Sequence, residues 1–297
     1  MNSTAHRSDE RLLVVNADDY GRFRCTSRGI LEAFEQGVVT ATGVMANVDE
    51  LDAQASWLLD HPGLDVGIHL NLTWGCPLDE RLGRRLSRFN HRFPGRIQLL
   101  RALVDGSLTV SGVEAEWRLQ IERLQQLGLR LTFVNSHEHV HMLPSLHRVA
   151  RDLARHYEVP FLRFVRPHWR EIDGPGAALR AALLAGMAGL SRRSRAHPTS
   201  IGVIGTGASG RLQVQAVERL LRRLRPGTVH ELMCHPGRMD PGEVDDARLH
   251  LFHRWEEELA LLTSDRLRAL LAELHIRVVG FRDLLPLQGR RDEVAVI

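Results

Sequence analysis

Four short clusters in this chain between them supply acids and imidazoles: Asn16-Ala17-Asp18-Asp19, His69-Leu70-Asn71, Ser136-His137-Glu138-His139-Val140-His141 and Cys234-His235-Pro236-Gly237. Carboxylate and imidazole ligands together suit a borderline divalent metal such as Zn²⁺, Mn²⁺, Co²⁺ or Ni²⁺, with open positions left for water and substrate. A metal so held acidifies water and polarises a carbonyl oxygen, while a nearby carboxylate removes the proton. The pair Asp18-Asp19 fits that division, one side chain ligating and the other staying free as a base. Neighbouring residues on a strand point to opposite sides, so the chain must leave the strand at this pair, and Gly21 makes a turn feasible. The expectation is a metal-dependent hydrolase built around Asp18, Asp19, His69 and His137.

Taken singly, the signals are weak. An Asp-Asp pair serves equally well as a turn or helix cap. His69 alone reads as a hydrogen-bonded core histidine, and His235 before Pro236 can simply end a strand. The run from His137 to His141 is more specific, because alternate residues of an extended segment share a face and would crowd imidazoles there. Joint occurrence at strand ends is what points to a site.

The elements that must position these clusters read as alternating β and α units. Strands are expected over Arg11–Asn16, Thr40–Ala46, Asp65–Leu70, Leu131–Asn135, Pro160–Phe164, Ser200–Val203, Val229–Met233 and Ile276–Val279. Helical spacing of apolar residues marks Ser27–Glu35, Glu50–Leu59, Val113–Leu127, Leu146–His156, Gln213–Leu224 and Ser264–Leu274. The fold class is therefore α/β, a distorted (β/α) barrel of seven or eight parallel strands, in which the clusters end four strands and converge on one face. No G-x-G-x-x-G follows the first strand, and the glycine-rich run 202–210 lacks a P-loop lysine, so it reads as an active-site loop or connection. One domain is expected over 11–297, after a disordered leader at 1–10, with an aperiodic excursion at about 74–111 that has the length of a lid or substrate-binding insertion.

Composition narrows the class. Cys25, Cys76 and Cys234 are far apart, which argues against a disulfide framework or a cysteine zinc site. The 39 basic residues are all arginine, and they form no basic block interleaved with aromatics, so no nucleic-acid partner is expected. The polar leader has no apolar signal region, which makes the cytoplasm the default compartment. Residues 177–190 are small and apolar apart from Arg180, and Arg192, Arg193 and Arg195 follow. That segment is too short to span a bilayer; it reads as an outer barrel helix, with peripheral membrane contact through 177–195 as the other reading. A homodimer is also left open.

The blocks Val14-Val15-Asn16-Ala17-Asp18-Asp19-Tyr20-Gly21, Gly37–Thr42, Val66-Gly67-Ile68-His69-Leu70-Asn71-Leu72-Thr73 with Gly75 and Pro77, Ser136–His141 and Glu231–Gly237 resemble the YdjC family of carbohydrate deacetylases, in the family's order and over most of the chain. The resemblance implies a distorted (β/α) barrel with one divalent metal, Mg²⁺ by family association, that removes N-acetyl groups from amino sugars and releases acetate. It puts Asp19, His69 and His137 at the metal, Asp18 as general base and His235 as the acid that protonates the leaving amine. The family includes chitooligosaccharide deacetylases and members associated with hopanoid glycolipids, so free and lipid-linked acetylated amino sugars both stay open as substrate. Asn47, Trp74, His139, His141, Arg163 and Arg166 lie near strand ends or the excursion and are candidate sugar contacts. Whether His139 or His141 shares the metal is open too. Two departures stand out: Tyr20 where phenylalanine is usual, and Asn135 where many members carry aspartate, which limits position 135 to neutral hydrogen bonds. A metal-dependent phosphoesterase and a non-catalytic sugar-binding protein are the alternatives from other classes.

Overall fold

The computed structural model describes residues 10–165, 174–191, 199, 201–244 and 246–287. The expected leader thus lies almost wholly outside the described residues, as do Arg166, Arg192, Arg193 and Arg195. The described residues form eight strands: β1 (Arg11–Tyr20), β2 (Ala41–Val44), β3 (Asp65–Leu70), β4 (Leu131–Ser136), β5 (Phe161–Leu162), β6 (Gly202–Ile204), β7 (Val229–Cys234) and β8 (Ile276–Val278). Seven run side by side in the order β5-β4-β3-β2-β1-β7-β6, all pairs parallel, while β8 pairs only with the first residues of β1. The sheet curls, and isolated bridges Phe161 to Thr199 and Phe164 to Gly202 join its two ends. This is the distorted (β/α) barrel that the alternation of elements predicts.

The helices are α1 (Arg24–Glu35), α2 (Leu51–Leu59), α3 (Glu80–Arg85), α4 (Arg96–Val104), α5 (Val110–Gln126), α6 (Pro144–His156), α7 (Gly174–Ser191), α8 (Val214–Leu221), α9 (Ala247–Phe252), α10 (Trp255–Leu262) and α11 (Asp265–Glu273). The excursion is more ordered than its lack of periodicity suggests, holding α3, α4 and the start of α5. Their brevity explains the miss: six and nine residues, punctuated by Pro77, Pro94 and Gly95, leave too few turns for a helical period to register. We refer to this segment as the cap. On α7, Leu184 and Ala188 pack on Met142, Phe164 and Val165, as an outer barrel helix would. No helix among the described residues is long and apolar enough to cross a membrane. The glycine-rich run supplies β6 and a single turn of 3-10 helix over Thr206–Ala208.

Strand alternation divides the apolar residues into two cores. Leu13, Val15, Val44, Ile68, Val134, Leu162 and Leu232 face the helices. Leu12, Val14, Ala41, Phe133, Phe161 and Val229 fill the lower barrel interior, capped by Phe281 and Leu284. Continuing the interior rows upward on the same parity leads to Asn16 and Asp18 on β1, Gly43 on β2, His69 on β3, Asn135 on β4, Arg163 just after β5 and Glu231 on β7. One barrel thus carries an apolar floor and a polar upper layer, set by which alternate residues are hydrophobic.

Gly67 marks the packing limit of the floor, since a Cβ there would stand 2.5 Å from the ring of Phe133, itself stacked on Phe281 at 4.4 Å. Gly67→Ala should therefore overpack the interior and lower stability by about 1–3 kcal/mol. Chemical denaturation measures this, and an unchanged midpoint would contradict the packing of Phe133 across β3.

Candidate metal centre and active site

Asp19 reaches the interior by breaking the strand rule. Its φ of +69° is left-handed, and the β1 to β2 register shifts between Ala17 and Tyr20. Aspartate tolerates this conformation better than most residues, at an expense on the order of 1–2 kcal/mol. The chain bulges within β1, and Gly21 at φ +96° completes the turn. As a result two sequential carboxylates share one side.

His137 is positioned by a similar device. It begins the 3-10 turn His137–Met142 directly after β4, in which Glu138 and His139 have φ of +51° and +56°. Asp19 Oδ1 then lies 2.8 Å from His137 Nδ1 and 3.1 Å from His69 Nε2, with the two rings 5.7 Å apart. One ligand atom from each of Asp19, His69 and His137 falls within 4.8 Å of the others, an arrangement that could hold a metal ion. Burial opposes ionisation of Asp19, yet His137, His69 and Arg22 hold its carboxyl well below the usual range.

The hydrogen bonds around His69 bear on whether a cation fits. Asn135 Nδ2 donates to Asp18 Oδ1 at 2.8 Å, which orients the amide so that its oxygen accepts from His69 Nδ1 at 2.7 Å. With the proton on Nδ1, neutral His69 turns a bare Nε2 lone pair toward the carboxylate of Asp19. Two acceptors face each other there, and a cation between them satisfies both. The field of Asp18 and Asp19 indeed raises the His69 pKa despite full burial, so positive charge is favoured at this point. The residues present fit a divalent ion, and Asn135 does by neutral hydrogen bonding what an outer carboxylate does at other metal histidines.

Asp18 is held apart from the triad. Arg163 NH1 donates to its Oδ2 at 2.5 Å and NH2 to its Oδ1 at 3.0 Å, and the same guanidinium donates from Nε to Glu231 Oε1 at 3.0 Å. Asn16 Nδ2 adds a 2.7 Å bond to Glu231. Burial pushes the Asp18 carboxyl up, but Arg163, His69 and His235 together bring it down to about 2. All three charged side chains are buried, so the guanidinium is compensated by two carboxylates.

His235, just beyond β7, donates its backbone N–H to Glu258 Oε2 at 2.6 Å, and its ring lies 5.2 Å from that of His253. Its Nδ1 is buried without a hydrogen-bond partner among the described residues. His253 stacks on Trp255 at 5.2 Å, and burial takes its pKa down to about 3, so it is a neutral wall beside His235.

The remaining sequence candidates fall in different places. His141 is fully buried and lies outside the triad: Ser136 Oγ–H donates to Nδ1 at 2.5 Å, and Nε2–H donates to the Arg163 carbonyl at 2.9 Å. Its ring therefore anchors Arg163, with no nitrogen left for metal or sugar. Arg163 itself is spent on Asp18 and Glu231. Asn47 is also committed, donating to the Trp74 and Cys76 carbonyls and accepting from Asn71 Nδ2, which latches the start of the cap. His139 has a buried Nδ1 without a partner among the described residues and, through burial, a pKa near 3. Trp74 is half-buried, edge-on to Phe23 at 6.0 Å, with the Arg22 guanidinium 5.4 Å from its ring. Arg22 also reaches Asp19 Oδ2 at 3.4 Å. Sequence reasoning missed Arg22, Glu116, Glu231, His253 and Glu258. Only Glu231 had a signal, the inward parity of its strand. Glu116 sits mid-helix in α5 and accepts from the backbone of Leu78 and Asp79, a role no motif announces.

The chain matches the family model described as YdjC-like protein over residues 12–273. It is 32% identical over 279 residues to a carbohydrate deacetylase of Geobacillus stearothermophilus, covering 93% of this chain and 99% of the relative. A chitooligosaccharide deacetylase of Serratia marcescens is 29% identical over 279 residues, covering 93% and 100%. A crystal structure of a protein from Enterococcus faecalis V583 aligns with TM-score 0.71 at 22% identity, covering 93% and 99%, which is a likeness of fold.

Asn135→Leu removes the bond that fixes the His69 tautomer and should weaken divalent-metal affinity by about 10–100-fold with the fold intact. Titration calorimetry on the chelator-stripped protein measures it; wild-type affinity in the variant would mean that His69 needs no such partner.

Proposed function

The chain belongs to the YdjC-like family, and from that premise we propose that it is a metal-dependent sugar deacetylase that hydrolyses the N-acetyl group of an amino sugar. The observation that carries this reading is the Asp19-His69-His137 triad beside an ionised Asp18 that takes no part in it. The relatives named as carbohydrate and chitooligosaccharide deacetylases support the substrate class. Two imidazoles and one carboxylate favour a borderline transition metal over Mg²⁺ on ligand chemistry. When bound, the cation supplies acidification of water and polarisation of the acetyl carbonyl.

The protein's own residues do the rest. Asp18 Oδ1 already accepts from Asn135 and Arg163, and Oδ2 from Arg163 alone, so the spare acceptor capacity lies on Oδ2. That oxygen is the one to take a proton from the attacking water. A carboxyl near pKa 2 is a weak base, so it serves only toward a water made unusually acidic. Arg163 keeps the carboxylate ionised and aimed, and Glu231 and His141 keep Arg163 in place. His235, fixed through its backbone by Glu258, is the group to give a proton to the departing amine nitrogen, which leaves as a free amino sugar while acetate forms. His139, a neutral imidazole within the fields of Arg163, Asp18, His69 and His235, and Trp74 remain the candidate sugar contacts.

Acetate release from N-acetylglucosamine oligosaccharides, with metal added to the stripped protein, tests this reading. Wild type should release acetate, and Asp18→Asn should lose about 10²–10⁴ in kcat with metal content unchanged. No acetate from any acetylated amino sugar, or phosphate release from sugar phosphates in its place, would refute it.

A further inference from the structure

We propose that the outer face of α4 docks on an anionic lipid bilayer, bringing the catalytic mouth to sugars carried at a membrane surface. Ile97, Leu100 and Val104 are 74%, 52% and 89% exposed, whereas Leu99 and Ala102 on the same helix are buried. The spacing i, i+3, i+7 puts the exposed three on one line, opposite the buried pair, with Arg101 on that same line. Large aliphatic side chains thus occupy the outermost ridge of the cap, where solvent contact is least favourable.

Charge identifies the occupant. Between Trp74 and Ser111 stand seven arginines and three carboxylates, a net of +4, while the whole chain carries +3. The cap therefore holds all of the excess positive charge, and the rest of the chain is slightly negative. A second copy of this face would meet it with like charge. An anionic bilayer offers both what the ridge lacks, apolar depth for Ile97, Leu100 and Val104, and phosphate charge for Arg96 and Arg101 beside them.

The cap is also wired to the site. Phe93, three residues before α4, donates its backbone N–H to Gly75 O at 2.9 Å, and Asn47 and Asn71 hold the adjoining Trp74 carbonyl. Trp74 in turn covers Arg22, which reaches Asp19. The segment that carries α4 is thus tied through Gly75 and Trp74 to Arg22 and Asp19. The docking stands on the cap alone; what the mouth receives there, an acetylated amino sugar on a lipid, rests on the deacetylase reading.

Flotation of the full chain with vesicles of phosphatidylglycerol and phosphatidylcholine, against phosphatidylcholine alone, is the test. Wild type should float with the anionic vesicles at low salt and detach at high salt. Arg96→Gln with Arg101→Gln should weaken vesicle affinity by about fivefold per arginine, and Ile97→Ser with Val104→Ser should abolish flotation. Both double variants should keep the wild-type melting temperature and acetate release from soluble oligosaccharide, because these side chains are exposed and outside the site. Absence of flotation, or variants that float like wild type, would overturn the docking while leaving the activity reading untouched. So would concentration-dependent dimerisation that the same substitutions remove, which would give the face to a second copy. Flotation without acetate release would keep the docking and sink the deacetylase reading.

Discussion

A strand sends consecutive side chains to opposite faces, and Asp18 and Asp19 are consecutive residues needed on one. The left-handed backbone at Asp19, inside a bulge of β1, is the constraint from which the site is built. It turns the second carboxylate back over the barrel interior, where His69 arrives by strand parity and His137 by a turn of its own. Without it the Asp19 carboxylate would face the helices, as Ala17 does. Mild local strain is exchanged for a geometry that regular structure cannot supply.

Two neighbouring carboxylates in a buried layer repel, so each must have its own counter-charge. Arg163 takes Asp18 and shares itself with Glu231, while Arg22 reaches Asp19, whose other oxygen faces His69 and His137. Asn135 stands between the two halves, donating to one and accepting from the other, and carries no charge to disturb either. Gly43 makes room for this join, since a Cβ there would come within 3.1 Å of both Asn135 and His69. Asp18 and the Asp19-His69-His137 triad thus have separate hydrogen-bonding partners joined by one amide, while the charges of both aspartates act on His69.

Much of this was legible in the residue order. The eight expected strands are all present, because β-branched and apolar runs bounded by helical spacing leave few other arrangements, and Asp65–Leu70 matches residue for residue. The strand-end clusters converge, His69 and Asp18 by strand parity and Asp19 by the departure from the strand that two adjacent aspartates require, whereas His137 comes in on a turn of its own. Less legible were side chains whose partners are distant in sequence. Arg163 reads as a substrate contact from its place at a strand end, yet the partner that occupies it, Asp18, lies 145 residues away. His141 shares a motif with His137, but the positive φ at Glu138 and His139 twists the run, so that extended-strand periodicity no longer applies and the two imidazoles part. The helices of the cap were hidden by their shortness, and Glu116 and Glu258 by being carboxylates on helices that bond backbone in other segments.

The central claim is that Asp19 belongs to the metal and Asp18 does not, although they are adjacent and both buried. Calorimetric titration of a divalent transition metal into the stripped wild type, Asp19→Ala and Asp18→Asn separates them most directly. The account predicts one site in wild type, the same site retained with somewhat lower affinity in Asp18→Asn, and no binding in Asp19→Ala. Retention of full affinity by Asp19→Ala, or its loss in a folded Asp18→Asn, would contradict it.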